Sequence, residues 1–151
     1  MNSILENLYT NRELHSVLFD SICTKYRLTH TEMLVLLFLR ENVPCDTATD
    51  IVEKLKITKS HVSASVRDLE ERGYLKGNYE GHNRRTIHLQ LCDNASEIVR
   101  AGETAQNEFL SILCQGFSEE EKSRLQSYVQ RMTENANRYL NGQNDRGEKQ
   151  T

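Results

Sequence analysis

From Ser3 to Tyr26 the apolar residues Ile4, Leu5, Leu8, Leu14, Val17, Leu18 and Ile22 recur at three- and four-residue steps. That spacing predicts an amphipathic helix ending near Arg27-Leu28. Thr29-His30-Thr31-Glu32 reads as a capping box, in which the Thr29 hydroxyl accepts an orphan amide and Glu32 reaches back to the cap. The segment it opens, Met33 to Leu39, is apolar almost all round and should be the most buried helix, closing before Asn42. Val43-Pro44-Cys45 is expected to be a short extended connector, because proline cannot continue a helix. Asp46-Thr47 then caps a short helix, Ala48 to Leu55, with Ile51, Val52 and Leu55 on its inner face. After the turn Lys56-Ile57, Thr58 is the next N-cap candidate. The helix from Lys59 to Arg72 buries Val62, Val66 and Leu69, and Gly73 stands where a left-handed residue ends a helix.

Beyond Gly73 the period changes from helical to alternating. Ile87, Leu89 and Leu91 alternate with polar partners, and with Leu75 to Tyr79 they predict a hairpin around the polar loop Glu80 to Arg85. Asp93 is expected to cap a long helix carrying Ile98, Val99, Ala105, Phe109, Ile112 and Leu113, ended by Gly116-Phe117. Ser118-Glu119-Glu120-Glu121 is a second capping box. The helix it opens carries Leu125, Tyr128, Val129, Met132, Ala136, Tyr139 and Leu140, and Asn141 to Thr151 reads as a polar, frayed tail. The fold class is therefore mostly α, with one two-stranded hairpin.

Composition narrows the possibilities. The chain has 151 residues and a formal charge of −3, with 37% hydrophobic residues, no Trp and one Pro. This suits one domain with helical extensions better than a β-sandwich or a linker-rich chain. No basic region followed by an apolar run opens the sequence, and its longest apolar stretch is far short of the roughly 20 residues that span a membrane. Cys23, Cys45, Cys92 and Cys114 are widely spaced with no CxxC, so reduced thiols in a cytoplasmic protein are expected.

The order helix, helix, turn, helix, hairpin between Thr29 and Leu91 is the winged helix-turn-helix plan. A recognition helix buries one face and offers small or polar groups to base edges from its N-terminal half. Here Val62, Val66 and Leu69 face in, leaving Lys59, Ser60, His61, Ser63, Ala64 and Arg67 to face out. Small residues allow close approach to a major groove, and Lys59, His61 and Arg67 can donate to phosphate or guanine acceptors. Arg84 and Arg85, with Asn83 beside them, end the hairpin loop, where arginine can enter a minor groove or grip phosphate. Placing the charges changes their meaning. Lys56 to Leu91 holds seven Lys or Arg against four acids, a charge of +3, while the rest of the chain carries −6. The net acidity belongs to the arms and argues for modest non-specific affinity.

The stretch Ile57 to Leu75, ITKSHVSASVRDLEERGYL, resembles the recognition segment of MarR-family transcription regulators, as does Asn83-Arg84-Arg85 followed by a strand and Leu91-Cys92-Asp93. The resemblance covers nearly the whole chain. It implies an N-terminal dimerisation helix (1–28), a winged helix-turn-helix DNA-binding domain (29–92), C-terminal dimerisation helices (93–140) and a flexible tail (141–151). It further implies a homodimer on a pseudo-palindromic double-stranded operator, with Thr58 and the residues after it in the major groove and Arg84 at the wing tip. The chain departs from the family pattern at Asn83, where an acidic residue is usual, and at Cys92, where Thr is common.

Such regulators release DNA in response to a small phenolic compound, a metal or an oxidant. A small aromatic acid would sit near His15, Phe19 or Arg40. A redox switch would use Cys23, near Lys25 and Arg27, although a small buried hydrophobe is the plainer role for each cysteine. The five histidines share no ligand spacing, so neither a metal nor a cofactor is expected. A winged module for protein–protein contact would need an apolar outer face after Thr58. An enzyme would need a nucleophile elbow, a phosphate-binding Gly loop or an HExxH, none of which occurs.

Overall fold

The computed structural model describes residues 3–79 and 86–147. The helices are α1 (Ser3–Tyr26), α2 (His30–Glu41), α3 (Ala48–Leu55), α4 (Lys59–Glu71), α5 (Ser96–Leu113) and α6 (Glu119–Gly147). The strands are β1 (Leu75–Tyr79) and β2 (Ile87–Leu91), which pair antiparallel from Leu75 opposite Leu91 to Tyr79 opposite Ile87. The chain divides into two compact units, 1–110 and 111–151.

The first unit is organised around α2. Met33, Val35, Leu36, Leu37, Phe38 and Leu39 are all buried, as a helix apolar all round must be. Phe19 and Cys23 of α1, Ile51 of α3, Val62 and Leu69 of α4, Leu75 and Leu89 of the hairpin, and Ile98, Val99 and Ala105 of α5 complete one core with it. Each such large aliphatic or aromatic side chain contributes roughly 1.5–3 kcal/mol relative to leaving it exposed. The first part of α5 therefore shares the core of the winged region, whose packing does not stop at Cys92. In the second unit, no described side chain of α6 is buried.

Local rules set the joints. The Thr29 hydroxyl accepts from the Glu32 amide (3.1 Å) while the Glu32 carboxylate accepts from the Thr29 amide (2.7 Å). Ser118 and Glu121 repeat the arrangement at the start of α6. A third box, Thr47 with Asp50, opens α3. At the end of α4, Gly73 takes φ +71°, with Tyr74 N–H on the Leu69 carbonyl and Gly73 N–H on that of Glu70.

Three local expectations need correction, and a fourth is extended. Val43-Pro44-Cys45 is a turn, closed by the Cys45 amide on the Asn42 carbonyl, with Val43–Pro44 cis. Asp46 and Thr47 do lead into α3 with Thr47 as its cap, and they also run alongside β2, through Leu89 N–H on the Asp46 carbonyl and a bridge from Thr47 to His88. Asp93 opens a 3₁₀ turn, Asp93–Ala95, with Cys92 in the cap position and Ser96 starting α5. Finally, α6 continues past Leu140 to Gly147, so the polar tail is helical for seven more residues. An apolar stripe marks a helix only where one face is covered; adding a residue to an existing helix needs no such stripe.

Candidate nucleic-acid interface

Helix α4 has two chemically distinct faces. Val62, Ser65 and Leu69 are buried against the core. Thr58, Lys59, Ser60, His61, Ser63, Ala64 and Arg67 are all exposed, so the side chains chosen from sequence for base or phosphate contact lie together on the outer face. Thr58 occupies the N-cap position with extended backbone, but its side chain makes no capping bond; its hydroxyl lies 3.3 Å from that of Ser60. The first turn of α4 has no acidic residue, whereas those of α2, α3 and α6 do. The positive end of the α4 dipole is thus left uncancelled and carries Lys59 beside it. A groove of about 590 Å³ runs between the start of α2 and the outer face of α4, bordered by Thr29, Thr31, His61, Ala64 and Arg67.

The hairpin base stands beside this helix. His88 Nδ1 lies 2.7 Å from an Asp46 carboxylate oxygen, fixing β2 to the residues that lead into α3. Gly77 N–H donates to Glu70 Oε1 (3.0 Å), which fixes β1 to α4. Asn83, Arg84 and Arg85 lie outside the described residues.

Arg72 is the residue that sequence reasoning missed. One terminal guanidinium nitrogen donates to the Arg27 carbonyl (2.8 Å) and the other to that of Tyr26 (2.5 Å). Its plane lies 5.0 Å from the Tyr74 ring centre, and it pairs with Asp68 at 3.4 Å. A cation just before the helix-ending Gly73 was the available sequence signal, but its partners are over forty residues away. Close by, Glu32 is buried; desolvation pushes its carboxyl up, the Thr29 amide offsets part of this, and hydrogen-bonded Asp68 raises it further.

The effector candidates do not form one site. His15 stacks on Phe19 at 4.3 Å between ring centres, with Phe109 edge-on at 5.6 Å. Burial, then the charge of His30, holds the His15 imidazole below its ordinary value. Arg40 instead donates to Glu103 (3.1 Å) and lines a cleft of about 260 Å³ with Cys92, Asp93, Ser96 and Arg100. Of the two roles open to Cys23, its surroundings suit the small buried hydrophobe better than the redox switch. The residue is 6% exposed, and burial together with Asp20 and Glu32 pushes its thiol up, the reverse of activation. The nearby Lys25 is engaged by Glu97. Among the described residues no three His, Cys, Asp or Glu side chains converge as a metal-ion site, and no helix is long and apolar enough to cross a membrane.

A buried three-helix arrangement, an outward polar α4 and a following hairpin define a winged helix-turn-helix protein. Residues 28–85 match the family model described as MarR family. The HTH-type transcriptional regulator PecS of Dickeya dadantii (strain 3937) is 29% identical over 117 residues, covering 75% of this chain and 69% of that protein. The chain spans between 54% and 79% of the length of the curated relatives it matches. Among solved structures, a putative MarR family transcriptional regulator from Listeria monocytogenes, complexed with a 26mer DNA, superposes with a TM-score of 0.77 at 17% identity over 89% of both chains. BpsR of Bordetella bronchiseptica superposes with a TM-score of 0.69 at 18% identity, covering 87% of this chain and 99% of that one; its DNA binding is regulated by 6-hydroxynicotinic acid. At these identities the two structures speak for the fold. The winged helix-turn-helix region, residues 28–85, thus matches the MarR family of transcriptional regulators, and the fold as a whole is similar to solved members of that family.

Proposed function

We propose that this protein is a cytoplasmic, homodimeric repressor that reads a pseudo-palindromic operator and lets go of it when a small aromatic or phenolic acid binds. The carrying observation is α4, whose inner face is packed into the core while Lys59, Ser60, His61, Ser63, Ala64 and Arg67 are all exposed. The packed face fixes the helix; the outer face offers donors and small side chains to a major groove. The uncapped, acid-free start of α4 favours a backbone phosphate there. Arg84 and Arg85 act from the hairpin loop on the adjacent groove or its phosphates, with Asn83 supporting them.

The dimer rests on apolar surface. Leu125, Tyr128, Val129, Met132, Tyr139 and Leu140 of α6 are exposed, as are Ile4, Leu5, Leu8 and Tyr9 of α1. Exposed stripes of this extent mark an association surface, here for a second copy of the chain. Each copy then presents one α4 to a half-site, the two about one helical turn of DNA apart. Of the two separate places, the cleft beside Arg40 offers a cation for the acid's carboxylate, and the stack of His15 and Phe19 offers only an aromatic surface for a ring.

The test is an electrophoretic shift on the DNA upstream of the protein's own coding region, with Arg84→Ala as comparison. A shifted band weakened by Arg84→Ala is expected. The absence of any sequence-dependent shift refutes the reading. Light scattering at micromolar concentration tests the assembly independently: a dimer mass is expected, and a monomer mass refutes the homodimer.

A further inference from the structure

The C-terminal ends of α1 and α4 meet at a single guanidinium. Helix α1 stops with Arg27 at φ +54° and with Leu28 N–H on the Cys23 carbonyl, leaving the carbonyls of Tyr26 and Arg27 without intrahelical partners. Arg72 caps α4 and reaches both of them at once. Its positive charge lies at the negative ends of two helix dipoles. Asp68, one turn back on α4, holds the guanidinium from one side, and the Tyr74 ring packs against it. The other side of this α1 terminus is tied to α5: the Tyr26 hydroxyl donates to Glu97 (2.6 Å), and Lys25 pairs with the same carboxylate at 3.3 Å.

We infer that Arg72 is a positioning residue for DNA reading, clasping the recognition helix to the end of α1 so that α4 is held at one angle to the arm that carries it. The inference rests on the reading of α4 as the DNA-contacting helix. Arg72 needs no contact with DNA for this role. A fork with two parallel donors is what two adjacent carbonyls require, and a lysine ammonium on a flexible stem cannot fix the same geometry. The Asp68 contact adds direction, because the charge pair is worth little at a partly exposed site while the pair of carbonyl bonds defines an orientation. Releasing the clasp frees the C-terminal end of α4 to tilt about its packed residues Val62 and Leu69.

The consequence is selective. A tilted α4 still meets phosphates, but its base contacts and the distance between the two half-sites are no longer enforced. The variants are Arg72→Lys, which keeps the charge and the stem, and Arg72→Met, which keeps the stem alone. The probe is a duplex selected by the wild-type protein from a randomised library, together with the same duplex lengthened or shortened by one base pair at its centre, and an unrelated duplex. Wild type is expected to prefer the selected duplex strongly and to be penalised by the altered centre. Arg72→Lys is expected to keep its melting temperature within a few degrees, to lose at least tenfold in preference, and to tolerate the altered centre. Its salt dependence on the unrelated duplex should be unchanged, since the phosphate contacts remain.

Arg72→Lys with wild-type preference and wild-type spacing penalty overturns the role of Arg72 and leaves the DNA reading intact. A wild type that selects no sequence overturns the DNA reading itself. If Arg72→Met unfolds, Arg72→Lys alone carries the test, because its charge at the two helix ends is preserved.

Discussion

Replacing Gly102 by alanine should destabilise the protein, although alanine is the better helix former. Gly102 lies inside α5, where the swap by itself favours the helix by about 1 kcal/mol. The added methyl, however, would stand 2.9 Å and 3.2 Å from the two terminal carbons of Leu37 and 3.1 Å from the Met33 sulfur. Both side chains are almost wholly buried in the core and have no solvent to swing into. Overpacking of this kind typically costs about 1–3 kcal/mol, so a net loss of roughly 1 kcal/mol is expected. In a chain of this size that lowers the melting temperature by about 2–4 °C. Gly142→Ala in α6 is the matched control, since no heavy atom lies within 4 Å of its added methyl. There only the helix preference acts, and stability should rise by up to about 1 kcal/mol. The assay is chemical denaturation followed by circular dichroism at one fixed protein concentration, because any association adds a mass-action term. Leu37→Ala combined with Gly102→Ala should cost less than the two changes summed, since each removes what the other strains. Gly102→Ala at or above wild-type stability, or strict additivity with Leu37→Ala, refutes the close approach of α5 to α2.

Other consequences follow from the same geometry. Leu69→Ala on the buried face of α4 should cost about 2–5 kcal/mol, and Ser63→Ala on the outer face about 0.5 kcal/mol at most; equal costs in urea melts would contradict the two-faced helix. Glu32 has its carboxyl raised in the folded protein above the ordinary value of 4.5, so the fold binds that proton more readily than the unfolded chain. Its effect is therefore absent well below 4.5 and grows as a loss of stability while pH rises through the raised value. Glu32→Gln, neutral at every pH, should gain on wild type in thermal melts as pH rises above 4.5, and a constant gap would remove the argument. Cys23 should resist a thiol reagent in the native state while the half-buried Cys45, Cys92 and Cys114 react; a labelling rate unchanged by Cys23→Ala but raised in denaturant is expected.

Most of the fold is written in local pattern. The capping boxes at Thr29 and Ser118 and the all-round apolar run of α2 each depend on residues a few positions apart, and each reappears in the structure; the alternation in β2 yielded the strand, but of its apolar residues only Leu89 is buried and Ile87 is exposed. The strand-like run of Asp46-Thr47 beside His88 could not be read this way, because its partner is forty residues distant. The same holds for the clasp of Arg72 on Tyr26 and Arg27. The cap of α3 was legible in Asp46-Thr47, with Thr47 the residue that caps, but its reciprocal partner Asp50 was not singled out. On α4 the outer face was legible, because burial of Val62 and Leu69 fixes by rotation which side chains point away. The environment of Cys23 was not. Lys25 and Arg27 are neighbours in sequence, but Lys25 pairs with Glu97 and the charges that act on the buried thiol are those of Asp20 and Glu32.

The central claim is that the outer face of α4 meets DNA. Its most direct measure is the salt dependence of binding to a selected duplex, followed by fluorescence anisotropy for wild type, Lys59→Ala and Arg67→Ala. Each phosphate contact removed should flatten the slope of log affinity against log salt by about 0.9. A contact to a base edge should instead cost about 1–3 kcal/mol on the selected duplex alone. The account predicts that each variant shows one of these two signatures while melting like wild type. Two variants that bind with wild-type affinity and wild-type slope would contradict it.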